Sequence, residues 1–237
     1  MTPEQLFSDL LAAAPSRPFV TYYDEATGER TELSVKSLGN WVAKTHHLLA
    51  TELGLGVGDT AVLALPAHWI SIPALLGCLT AGLTLSPADP AADVAFVAPD
   101  TMSAAAGVPE VFAIGPERAA AGFGTDAPQG ALDYVTAIRP QADTWGSVTL
   151  AASGADPFWG ALTRAAAVAE ARERAARFGL AAGARVLTTR DWGGPEDWLD
   201  TLLAPLAVGG SVVYVRNCAD PAVLARRGEQ ERCTDTV

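Results

Sequence analysis

The sequence predicts an α/β fold, with largely parallel sheets flanked by helices, and three observations carry that expectation. Short β-branched apolar runs alternate with helical stretches, an order that builds parallel strands joined by crossovers. Apolar residues make up 49% of the 237, enough to pack a substantial core. Between Asp59 and Asp89 there is no charged residue, yet Pro66, Pro73, Gly77 and Gly82 interrupt the run. A buried strand and a buried helix explain that interval better than a membrane span.

The elements follow in order. Pro3 to Ala13 reads as a short amphipathic helix with Leu6, Leu10 and Ala13 on one side. Arg17–Asp24 and Glu29–Leu33 bracket Glu25-Ala26-Thr27-Gly28, a hairpin whose turn uses glycine. From Ser34 to Leu53 the residues Leu38, Trp41, Val42, Thr45, Leu48, Leu49 and Glu52 recur at helical steps, and Gly54 can end the helix. Lys36 and Lys44 are expected on its solvated face. His46 and His47 are adjacent and point in different directions, so they do not form a pair of ligands. Thr60–Leu65 is a strand, Ser71–Ala81 a helix ended by Gly82, and Thr84–Pro87 a short strand.

Val94–Ala98 and Val111–Ile114 are further strands with a small helix between them. The Ala-, Gly- and Pro-rich stretch Gly115–Pro128 is a surface connection. Its Gly122-Phe123-Gly124 resembles part of a dinucleotide fingerprint, but no strand leads into it, so it reads as a loop. Ser147–Ala151 is expected as a strand and Ser153–Pro157 as a turn. Ala161–Phe178 is a helix whose four arginines and two glutamates form a solvated face. Arg185–Thr189 is a strand, Pro195–Leu206 a helix led by Glu196 and Asp197, and Ser211–Val215 a closing strand. The expected division is a subdomain over 1–140, a second over 141–227 and a flexible polar tail over 228–237.

Composition excludes more than it identifies. With 16 Lys+Arg against 27 Asp+Glu the formal charge is −11, which argues against nucleic acid as a partner. Cys78, Cys218 and Cys233 form neither a disulfide framework nor a zinc pattern, and no secretory leader opens the chain. Cytoplasm is the expected compartment. No nucleophile elbow, zinc-protease helix or Walker-type lysine occurs, so no catalytic residue and no metal ligand is assigned.

Four segments carry a resemblance. They are Arg30-Thr31-Glu32-Leu33, Leu55–Val62 followed by Leu65-Pro66, Pro73–Gly82 leading to Pro87, and Leu202–Val213 with its pair Gly209-Gly210. In this order the chain resembles the N-terminal portion of the adenylate-forming superfamily, which includes acyl-CoA synthetases and peptide-synthetase adenylation domains. The resemblance implies ATP or AMP as ligand and a Gly-, Ser- and Thr-rich phosphate loop ending in proline–lysine–glycine. The matching stretch, Ala151 to Gly160, keeps Ser153 and Gly154 as the remnant of that loop. It loses the hydroxyl cluster and the lysine, and gains Asp156, Phe158 and Trp159, so a degenerate turn with packing aromatics is expected. The resemblance also implies an adenine-binding segment, a ribose-binding aspartate and a mobile domain with a catalytic lysine, and these are expected to be missing from the 237 residues. The expectation is a non-catalytic relative that needs no cofactor and serves binding or assembly, through self-association or a partner protein. The alternatives are a nucleotide- or acyl-binding protein, or a half-enzyme completed by a partner chain.

Overall fold

The computed structural model describes residues 1–237. Helix α1 (Pro3–Ala13) starts from a capping box in which Thr2 and Gln5 satisfy each other's backbone N–H. Strands β1 (Pro18–Asp24) and β2 (Glu29–Ser34) form the expected hairpin. Ser34 caps α2 (Val35–His47), which widens into a π-type turn at Leu48–Glu52. Then come β3 (Thr60–Ala64), α3 (Ser71–Ala81) and β4 (Thr84–Ser86), with Gly82 in the left-handed region at φ 98°. Strands β5 (Val94–Val97), β6 (Glu110–Ala113) and β7 (Leu132–Asp133) follow, and Asp133 caps the short α4 (Tyr134–Ile138). The remaining chain forms β8 (Pro157–Trp159), β9 (Leu162–Thr163), α5 (Arg164–Arg177) and β10 (Arg185–Thr188). Helix α6 (Pro195–Trp198) passes through a second π-type turn into α7 (Ala204–Ala207), ahead of β11 (Ser211–Arg216), α8 (Pro221–Glu231) and β12 (Asp235–Thr236).

Two sheets result. One has the order β7-β6-β5-β3-β4-β8-β9 and is parallel except for β8–β9; the other, β12-β10-β11-β1-β2, is parallel except for β1–β2. Every residue of α3 is buried, which accounts for its lack of charge. It packs on α2 so closely that a Cβ on Gly77 would stand 2.4 Å from Thr45 Cβ and Cγ2. One continuous core runs from Phe7 and Phe19 through Leu38, Leu75 and Phe96 to Trp198 and Tyr214. No helix is long and apolar enough to cross a membrane.

The structure departs from the sequence expectations at several places. Ser147–Ala151 forms no strand; Phe158, fully buried, seats β8 beside β4 instead, because an aromatic ring buries more apolar area than half-buried Val148 and Leu150. The sheets do not divide near residue 140. Strands β1 and β2 join β10–β12, and β8 and β9 complete the sheet of β3–β7, since parallel pairing can join segments remote in sequence. Residues 228–237 lie at the end of α8 and in β12, which pairs with β10. Glu231 holds them there, accepting from Tyr23 Oη at 2.5 Å, Arg185 Nη2 at 2.7 Å and Arg30 Nη2 at 2.9 Å.

Two arginines of α5 are a further departure, while Arg172 and Arg177 stay exposed as expected. Arg164 is wholly buried, paired with buried Glu4 at 2.8 Å and donating to the carbonyls of Leu79 and Leu83 at 2.8 and 2.7 Å. The guanidinium thereby gives a charged donor to the Leu79 carbonyl, in the last turn of α3, and to the Leu83 carbonyl just beyond the helix. Arg174 is also buried, bonded to Glu170, Glu196 and Asp200. Lys44 is half-buried: its Nζ donates to the carbonyls of Gln141 and Arg139 at 2.6 and 3.2 Å and fastens the chain beyond α4.

Candidate functional site

Strand β3 leads through α3 to β4 on one side, while its other neighbour, β5, leads on to β6 in the opposite direction. Adjacent strands whose connections diverge leave a crevice at their carboxyl ends, where ligands of open α/β sheets bind. Here that crevice has a volume of about 320 Å³. Leu65 and Pro66 follow β3, Pro87 follows β4, and Asp100 and Thr101 follow β5. The facing wall comes from the other sheet: Asp191 to Gly194 after β10, and Trp198 of α6.

The walls are fixed by short local bonds. Thr101 Oγ1 donates to the Ala64 carbonyl at 2.5 Å and accepts from the Ala98 N–H at 2.9 Å, tying the turn after β5 to the end of β3. Asp191 Oδ1 accepts from the N–H groups of Ala67 at 2.7 Å and Trp192 at 2.8 Å, so one carboxylate joins the two sheets. Its Oδ2 is paired with the Arg216 guanidinium. The Trp192 indole donates to Thr201 Oγ1 at 3.0 Å, and the Gly193 N–H donates to Asp197 at 2.8 Å. Arg190 bridges Asp197 and Asp200 at 2.9 and 2.6 Å, so the acids at the start of α6 hold the loop as well as the helix.

This lining contains tryptophans, prolines and two carboxylates, and no lysine or arginine. The lining offers apolar walls and the Asp100 carboxylate, while the Asp191 carboxylate is already paired with Arg216.

Ser153 and Gly154 lie elsewhere. Strand β8 runs parallel to β4, so the residues that precede it stand at the amino-end edge of the sheet, opposite the crevice. There the turn closes on itself. The Ser153 N–H donates to Asp156 Oδ2 at 2.6 Å, the Asp156 N–H to the Ser153 carbonyl at 3.2 Å, and the Ala165 N–H to the Gly154 carbonyl at 2.9 Å. The Ser153 N–H holds the Asp156 carboxyl below its ordinary range. The anionic acceptor for this turn is thus the chain's own carboxylate. Gly122-Phe123-Gly124 is the loop expected, with the Gly124 N–H donating to Asp133 at 3.0 Å.

The two histidines of α2 diverge as their adjacency requires. His47 is half-buried and bonds Ser147 Oγ through Nε2 at 2.8 Å, while His46 is buried and burial lowers its pKa to about 4. No group of three or more His, Cys, Asp or Glu side chains is placed to hold a metal ion. The sequence reading missed Thr101, Asp191 and Trp192. The available signal was Asp191-Trp192-Gly193-Gly194, a charged and aromatic pair ahead of two glycines directly after a strand.

No family model matches the sequence. Among solved structures, the acyl-CoA synthetase of Brucella canis superposes with a TM-score of 0.79 at 17% identity, over 100% of this chain and 47% of that one. The acetoacetyl-CoA synthetase of Streptomyces lividans gives 0.77 at 19% identity, over 99% of this chain and 42% of that one. An anthranilate CoA ligase in complex with anthranoyl-AMP gives 0.70 at 14% identity, over 95% of this chain and 47% of that one. The fold is therefore the one expected, that of the N-terminal portion of acyl-CoA synthetase-like adenylate-forming enzymes, and the chain spans less than half the length of each. A protein of Mycobacterium tuberculosis described as a TIGR03089 family protein is 38% identical over 235 residues, covering 97% of this chain and 95% of its own. With that identity sustained along nearly the whole of both chains, the protein belongs to the TIGR03089 family.

Proposed function

We propose that this chain is a non-catalytic relative of the adenylate-forming enzymes that keeps their N-terminal scaffold for binding or assembly. The observation that carries the reading is the closed turn at Ser153–Asp156. Its backbone donor is taken by Asp156, and it stands at the opposite edge of the sheet from the crevice. Adenylation needs donors and a cation preorganised around developing phosphate charge. Neither lysine supports that role, because Lys44 is spent on two carbonyls and Lys36 lies on the same early helix. A pyrophosphate-exchange assay across a panel of carboxylic acids tests this. The expected result is no exchange above blank; robust ATP-dependent exchange by the purified chain would overturn it.

The preformed crevice favours a second reading, a binding protein for a nucleotide or an acyl group. A ligand that binds only the folded form stabilises it by about 2.7 kcal/mol at a hundred times its Kd. Thermal-shift screening with ATP, AMP and acyl-adenylate analogues discriminates the two: a shift with an adenylate supports binding, and a flat response across the panel leaves assembly. The short span relative to the ligases fits a partner chain or self-association. Co-purification from native lysate tests that, and a clean monomer would count against it.

A further inference from the structure

The segment Pro66–Trp69 has the crevice on one side and a second cavity, of about 620 Å³, on the other. Tyr22 and Asp24 of β1, Glu29 of β2, His68 and Glu117 supply its functional groups. Three carboxylates line it, and no lysine or arginine does. His68 is 1% exposed, and its ring lies 4.1 Å from that of Tyr22, centroid to centroid. Its Nδ1 accepts from the Ile70 N–H at 3.3 Å, which assigns the proton of the neutral ring to Nε2. That Nε2 has no hydrogen-bond partner and stands 3.6 Å from Glu29 Oε2.

The carboxylates are each half used. Glu29 Oε1 accepts from the Trp69 indole and the Thr31 hydroxyl, both at 3.0 Å, while Oε2 accepts nothing. Asp24 Oδ1 takes the N–H groups of Ala26 and Thr27 and the amide of Asn217, leaving Oδ2 free. Glu117 is exposed at the rim. The His68 imidazole, followed by the Trp69 indole, holds the Glu29 carboxyl below its usual range against the opposing effect of burial, so it is ionised at neutral pH. The acids surround the cavity without converging on a point that would hold a metal. An organic cation of modest size answers this arrangement.

We propose that the cavity binds a small primary amine bearing an oxygen acceptor. Its ammonium sits among Asp24 Oδ2, Glu29 Oε2 and Glu117, and its oxygen accepts the His68 Nε2–H. This site is separate from the crevice and stands whether or not the chain forms adenylates.

Calorimetric titration of the full chain with ethanolamine tests it, alongside propylamine, ethylene glycol and magnesium chloride. Ethanolamine is expected to bind, propylamine more weakly, and the neutral diol and magnesium not at all. Glu29→Gln and Glu117→Gln should each weaken ethanolamine about tenfold, the value of one charge-assisted hydrogen bond. Glu173→Gln, an exposed acid on α5 away from the cavity, should leave it unchanged. Because Glu29 also supports Trp69, the rim variant Glu117→Gln keeps the test sound if Glu29→Gln unfolds. No binding, equal loss in Glu173→Gln, or preference for magnesium or the diol would each overturn the assignment.

Discussion

Arg164 shows how far a single residue can depart from its compositional expectation. On an Ala-, Arg- and Glu-rich helix it looks like one more solvated charge, yet it is closed between Glu4 and the carbonyls of Leu79 and Leu83. Burial raises the Glu4 pKa, and Arg164 opposes that shift. Removing one partner of such a pair leaves an uncompensated charge, so Arg164→Met should cost about 3–5 kcal/mol in urea unfolding. The double variant Glu4→Leu/Arg164→Met should lose less than the two single changes summed; strict additivity would show that the pair is not coupled.

His46 is the residue-scale case for pH. Its folded pKa of about 4 lies below the ordinary 6.5, through burial first and then the charge of His47. The unfolded chain therefore takes up the proton more readily. Stability from keeping the ring neutral is present above about 6.5 and is lost as pH falls toward 4. His46→Leu should lose less stability than the parent between neutral pH and about pH 5, and identical slopes would exclude this histidine as the cause.

At the scale of elements, α8 and β12 are held chiefly by charge. No residue of α8 is buried, although its segment covers Tyr23, Leu187, Val213 and Val215. The anchor is Glu231. Hydrogen bonds from Tyr23, Arg185 and Arg30 outweigh the effect of burial and hold its carboxyl below the usual range. Glu231→Ala leaves those donors without their shared acceptor, and should cost about 1–3 kcal/mol while speeding amide exchange in 221–237 ahead of β11. Unchanged exchange there would mean that the apolar contacts of Leu224, Cys218 and Cys233 suffice. Element by element, the long periodic helices and strands β1 to β6, β10 and β11 were legible, because periodicity reports burial directly. Strands β7, β8, β9 and β12 were not, because each is only two or three residues long and is placed by its partner, as β8 is by β4.

For the molecule as a whole, Asp191 is the tie between the sheets at the crevice. Asp191→Ala should lower stability by about 1–3 kcal/mol, since the Ala67 N–H and Arg216 both lose an acceptor. Faster exchange of the Ala67 amide should accompany it; a protected Ala67 in the variant would show that the sheets are joined by packing alone. Of the site, the turn at Ser153 and Gly154 was readable from its Ser-Gly-Ala-Asp-Pro run. That they face away from the crevice was not, because a local turn carries no record of which sheet edge it lies on.

The sequence by itself determined the α/β class, most strands and helices, and the likeness to the adenylate-forming scaffold. These are properties of local pattern, fixed by which side chains recur at which spacing. Only the tertiary structure decided that β1 and β2 join the last strands of the chain, that Arg164 and Arg174 are buried, and that Asp191 and His68 stand beside two different cavities. Those outcomes depend on parallel pairing and ion pairs between remote segments, and neither interaction leaves a period in the sequence.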